Sequence, residues 1–146
     1  MAEAAAMQID HRLESSKLLR HHGDNQDKHP GVVTTLGVIL PEIGEPWRKR
    51  VFAMAVSAMD TRDRGRPSAW SATVDSLAVD YAGEGEVPRL FALSAGNCDG
   101  DLTEMMKYPE YNLLQDIHDP GQAWNALTIG AFTAKEEITE ADGGEY

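Results

Sequence analysis

A chain of 146 residues, 42% apolar and 25% charged, has the size and composition of one globular domain with its own core. Its formal net charge of −11 argues against a nucleic-acid partner, because phosphate binding needs clustered Lys and Arg. Cys98 is the single cysteine, which excludes an internal disulfide and a Cys-based zinc cluster.

Residues 1–8 read as a loose, Ala-rich lead-in. The start Met1-Ala2-Glu3-Ala4-Ala5-Ala6 lacks the basic n-region and apolar core of a secretory signal, and no apolar run reaches transmembrane length. A cytoplasmic location without a membrane partner is therefore expected. Residues 12–19 read as a short strand, and residues 21–29 as a polar loop around Gly23, Asp24 and Asn25. From Pro30, the positions Val32, Val33, Leu36, Ile39, Leu40 and Ile43 recur at helical spacing, and Pro41 predicts that this helix ends or kinks near Leu40.

Residues 50–56 form the next apolar strand, followed over 59–67 by a charged loop whose Asp60, Arg62, Asp63 and Arg64 read as surface charges. Ser68 is a good N-cap, and Trp70, Val74, Leu77 and Ala78 fall on one face, so the pattern predicts a helix over 68–79. An acidic, Gly-containing loop over 80–88 leads to a strand over 89–95. Strand, helix and strand in that order, with both strands apolar, make a βαβ unit, hence an α/β fold with a parallel sheet flanked by helices. After a long loop, Asp119 is expected to cap a short helical turn with Pro120 in its first position, and residues 127–132 make a third strand. Trp70 and Trp124 are expected to pack helix faces onto the sheet. Residues 134–146, rich in Glu, read as a solvated acidic tail.

The chemistry centres on Arg89-Leu90-Phe91-Ala92-Leu93-Ser94-Ala95-Gly96-Asn97. Parallel strands are buried on both faces, and ligands bind at their carboxyl ends, where Asn97 would sit. Ser94, Ala95 and Gly96 have almost no side chain, so the backbone of an extended peptide could approach closely. An Asn after a Gly can also simply cap a turn.

His11, His21, His22 and His29 have no catalytic company, and His118, beside Asp116 and Asp119, suggests a local turn hydrogen bond rather than catalysis. Asp99-Gly100-Asp101 has the acidic flavour of a calcium loop without the remaining ligands, so no metal is expected. Cys98 reads as a lone buried thiol. No Gly-rich phosphate loop follows a first strand, which disfavours a nucleotide-binding domain, and no cofactor is implied.

Four segments in order resemble the core of subtilisin-like serine peptidases. Val51-Phe52-Ala53-Met54-Ala55-Val56-Ser57 is similar to one parallel strand of that core, and Arg64-Gly65-Arg66-Pro67-Ser68-Ala69-Trp70-Ser71 to the following loop and helix start. Ser94-Ala95-Gly96-Asn97 resembles the strand end that delivers the side-chain donor of the oxyanion hole. Tyr108-Pro109-Glu110, with the run from Asp119 to Ala131, resembles the passage from a Tyr-Pro turn into the next core strand. The resemblance covers residues 9–133 and implies a partial subtilisin-like fold. It also implies that Asn97 donates to the oxyanion, and that Ala55, Val56 and Ser57 face Ser94, Ala95 and Gly96 across a cleft for a peptide or protein substrate.

Ser57-Ala58-Met59 departs from the Gly-rich turn that subtilases often carry there. The family's triad runs Asp, His, Ser along the chain, and the resembling segment falls between the His and the Ser. No His-Gly-Thr motif precedes Ile9 and no Gly-Thr-Ser motif follows Ala131. An endopeptidase segment inactive alone, which a complementing chain carrying the triad could restore, is the first expectation. A non-catalytic α/β peptide-binding or interaction module derived from a subtilase is the alternative.

Overall fold

In the computed structural model, residues 11–18, 29–58, 65–98 and 100–131 are described. The expected lead-in, most of the polar loop at 21–29, the charged positions 59–64, Asp99 and the acidic tail lie outside the described residues. The chain divides into two units, Met1–Pro46 and Trp47–Tyr146.

In the first unit, helix α1 spans Pro30–Gly44, with Pro30 in its first turn. It runs on through Pro41 instead of stopping near Leu40. A proline at that position has no N–H for the carbonyl four residues earlier, which is that of Gly37. The hydroxyl of Ser16 donates to the Gly37 carbonyl at 3.2 Å and takes the missing place. Gly37 lets this segment come close, since a Cβ there would stand 3.0 Å from the Leu18 side chain. Residues 11–18 themselves have no regular structure, contrary to the expected strand. A strand needs a partner ladder, and these residues have none among the described residues.

The second unit holds strands β1 (Val51–Met54), β2 (Leu90–Ser94) and β3 (Leu127–Ile129), with helix α2 (Ala69–Ala78) between β1 and β2. The sheet order is β1-β2-β3 and every pairing is parallel. The fold is α/β, as the βαβ pattern predicts. Phe52 pairs with Phe91 and Met54 with Leu93, so these four side chains share one face, and the two phenyl rings stack with centroids 5.1 Å apart. Trp70, Val74, Leu77 and Ala78 of α2 are buried, as are Phe91 and Leu93. The α2 helix touches β2 and closes this face.

Both ends of α2 are tied down. At the start, the Ser68 hydroxyl accepts from the Ser71 N–H at 3.0 Å while the Ser68 N–H donates to the Ser71 hydroxyl at 2.7 Å, a reciprocal capping box. At the end, the Arg89 N–H donates to the Ala78 carbonyl at 2.9 Å, and its guanidinium donates to the Leu77 carbonyl at 2.8 Å and to Asp80 at 3.0 Å. The Val87 N–H also donates to the Asp80 carboxylate at 3.0 Å. That backbone bond, followed by the Arg89 guanidinium, holds the Asp80 carboxyl below its ordinary value despite the opposing effect of burial.

Candidate active site at the carboxyl ends of β1 and β2

Because β1 and β2 run parallel with Met54 opposite Leu93, the chain leaves both strands at the same end of the sheet. Residues 55–57 and 95–97 emerge there side by side. Ala55 is exposed, while Val56 and Ser57 are half-buried. Ser94, Ala95 and Gly96 are half-buried and Asn97 is exposed, one residue beyond Gly96. The Ala95 N–H donates to the Ile129 carbonyl at 3.0 Å, which extends the β2–β3 ladder one step past the strand. The Ser94 hydroxyl then accepts from the Gly96 N–H at 3.1 Å and turns the chain.

Gly96 is required on two counts. Its φ of +104° lies in the region that favours glycine, and a Cβ there would stand 2.2 Å from the His118 ring. The bareness expected to admit a substrate backbone is thus matched by an internal partner, the imidazole of His118.

His118 is almost completely buried, at 1% exposure. Its N–H donates to the Ala95 carbonyl at 3.0 Å, and its Nδ1 lies 3.4 Å from the Ser57 hydroxyl. The ring Nε2 is buried with no hydrogen-bond partner among the described residues. The expected local turn does form in the backbone, where the Gly121 N–H donates to the His118 carbonyl at 2.8 Å. The side chain, however, reaches a residue 61 positions away.

Asp119 does not cap a helix, as expected from its sequence. Residues 120–123 form a turn, and the Asp119 carbonyl accepts from the Ala58 N–H at 2.8 Å in an isolated antiparallel bridge. The Asp119 side chain is drawn away to accept from the Ser68 hydroxyl, linking the N-terminus of α2 to this corner. Ser57, His118 and Asp119 are therefore neighbours without being a triad: among the described residues the second ring nitrogen meets no carboxylate, and the ring is closed off from solvent.

Two further expectations fail nearby. Trp124 is 82% exposed rather than packed on the sheet, because the turn at 120–123 faces it outward while the Asn125 N–H is held by Asp75 at 2.6 Å. Cys98 is exposed rather than buried, since the chain has left the sheet by that point. Among the described residues, no group of three or more His, Cys, Asp or Glu is arranged to hold a metal ion. No described helix is long and apolar enough to cross a membrane.

The family model for the subtilase family, peptidase S8, matches residues 1–143. The chain belongs to the subtilase family. No curated protein and no solved structure matches it. Serine-peptidase ancestry follows from this membership, and the parallel three-stranded sheet with helix α2 packed on it is consistent with a partial subtilisin-like fold.

The contacts between His118 and Ser57 and between Asp119 and Ser68 escaped sequence reasoning. Neither pair has a short-range spacing that could reveal it. The one available signal was the adjacent polar pair His118-Asp119 between the apolar Ile117 and Pro120, ahead of the third strand.

Proposed function

We propose that this chain is the middle of a subtilisin-like serine endopeptidase core, covering residues 9–133 between a lead-in at 1–8 and an acidic tail at 134–146. Asn97 is the side-chain donor of its oxyanion hole. The observation that carries this is the shared exit of residues 55–57 and 95–97 from two parallel strands, with Asn97 exposed at the tip. In acyl transfer the scissile carbonyl oxygen gains charge as the tetrahedral intermediate forms. A donor fixed beforehand favours that state over the substrate.

Ala55, Val56 and Ser57 form one cleft wall, available to an extended peptide. Ser94, Ala95 and Gly96 form the other, beside the pocket for the residue before the scissile bond. The nucleophile and base come from polypeptide outside these residues, in the cytoplasm. An intact triad partner is therefore needed for hydrolysis.

The test is labelling by a fluorophosphonate serine-hydrolase probe, with the chain alone and mixed with separately expressed subtilase segments carrying the His and Ser motifs. Labelling in the mixture alone is expected, together with peptide hydrolysis that Asn97→Ala slows. Removing such a donor from a subtilisin is known to cost roughly 10²–10³ in rate, and a similar loss is expected here. A folded chain that never labels, but binds extended peptides, would instead establish the non-catalytic module.

A further inference from the structure

We infer that His118 is a positioning residue, a buried wedge that fixes the separation of the two cleft walls and the direction in which Asn97 leaves β2. This rests on the proposed role of Asn97 and of the walls.

The same imidazole touches both sides. Its Nδ1 faces the Ser57 hydroxyl on the β1 side at 3.4 Å, and its ring lies against Gly96 on the β2 side, where any Cβ would collide with it. Its own backbone N–H holds the Ala95 carbonyl at 3.0 Å. Three successive features of the β2 exit are thereby set by one residue: the Ala95 carbonyl, the Gly96 conformation and the origin of Asn97. The wedge is itself anchored. The next residue, Asp119, accepts from Ala58 N–H through its carbonyl and from the Ser68 hydroxyl through its carboxylate.

Of the two imidazole nitrogens, only Nδ1 has a partner among the described residues. Leaving the other buried and unpartnered is costly, of the kind that persists where the surroundings over-determine a geometry. An apolar side chain of similar size would fill the same space without that cost, but it could not hold Ser57. The polar contact to the β1 exit is what distinguishes the histidine from mere filling.

The test uses the full chain, labelled with ¹⁵N. Ring-nitrogen shifts of His118 report its tautomer, and the heteronuclear Overhauser effect reports the order of Asn97 in backbone and side chain. Wild type should show one tautomer and an ordered Asn97. Ser57→Ala should shift the ring nitrogens and move the Asn97 signals while leaving the circular dichroism unchanged. His118→Ala should reduce Asn97 to loop-like order, and His118→Asn, whose amide stands near the Nδ1 position, should restore it.

An unchanged Asn97 in folded His118→Ala would overturn the inference, as would ring nitrogens indifferent to Ser57→Ala. If His118→Ala fails to fold, the Ser57→Ala and His118→Asn spectra decide by the same criteria. These readouts need no peptidase activity. Failure of Asn97→Ala to slow the complemented enzyme would remove the oxyanion role and leave the wedge standing, whereas a rigid Asn97 in folded His118→Ala would do the reverse.

Discussion

The two faces of the β1-β2-β3 sheet could hardly differ more. One carries Phe52, Met54, Phe91 and Leu93 and is closed by α2, with Phe91 and Leu93 each 1% exposed. The other presents Val51, Leu90, Leu127 and Ile129, which are between 47% and 67% exposed. Parallel sheets are ordinarily covered on both sides. The difference shows where folding free energy is stored in this unit: in one helix held at both ends against a single face. The second face is as apolar as the first, so its sequence resembles a buried strand while its surroundings do not.

The largest effect should come from the covered face. Phe91→Ala is expected to cost about 3–5 kcal/mol in urea unfolding, the usual range for removing a buried phenyl and leaving a cavity. A loss below about 1 kcal/mol would mean that α2 does not seal that face. Next comes the start of the helix. Ser68→Ala removes the acceptor for the Ser71 N–H and a donor to the buried Asp119 carboxylate, and should cost about 1–2 kcal/mol, largely recovered by Ser68→Thr.

The far end of the helix can be tested by acid. The Asp80 carboxyl is held below 3.8, so its stabilising contribution is present in full above that pH and is lost as pH falls through the lower folded-state value. Acid titration of unfolding should therefore be shallower for Asp80→Asn over that window, and parallel curves would detach Asp80 from the stability of this end. The smallest effect belongs to the open face. Val51→Thr, at a residue 67% exposed, should change stability by less than about 0.5 kcal/mol and raise the concentration at which the chain stays monomeric in light scattering. A cost comparable with that at Phe91 would erase the contrast between the faces.

The covered face was legible in the sequence because its signals are local. Ser68 followed by apolar residues at helical spacing, and apolar strands on either side, specify α2, β1 and β2 without reference to anything distant. The corner at the carboxyl ends was only half legible. Asn97 and the small residues before it stand out at a strand end, but His118 acquires its role from Ser57 and Gly96, which only the parallel register brings within reach. Asp119 was misread for a related reason. An Asp before Pro suits a helix start, yet a hydroxyl 51 residues earlier competes for the same carboxylate and wins. Trp124 shows the limit of size as a guide, since a large aromatic that follows a turn stays exposed instead of packing on the sheet.

Pro41 leaves one carbonyl of α1 without its usual donor, and the Ser16 hydroxyl occupies that vacancy. A gap in a helix's own ladder thereby acts as an address. It opens a carbonyl in the middle of α1, away from the free carbonyls of its last turn, that a distant, irregular segment can claim without displacing a ladder bond, so the imino acid at position 41 helps choose where residues 11–18 lie.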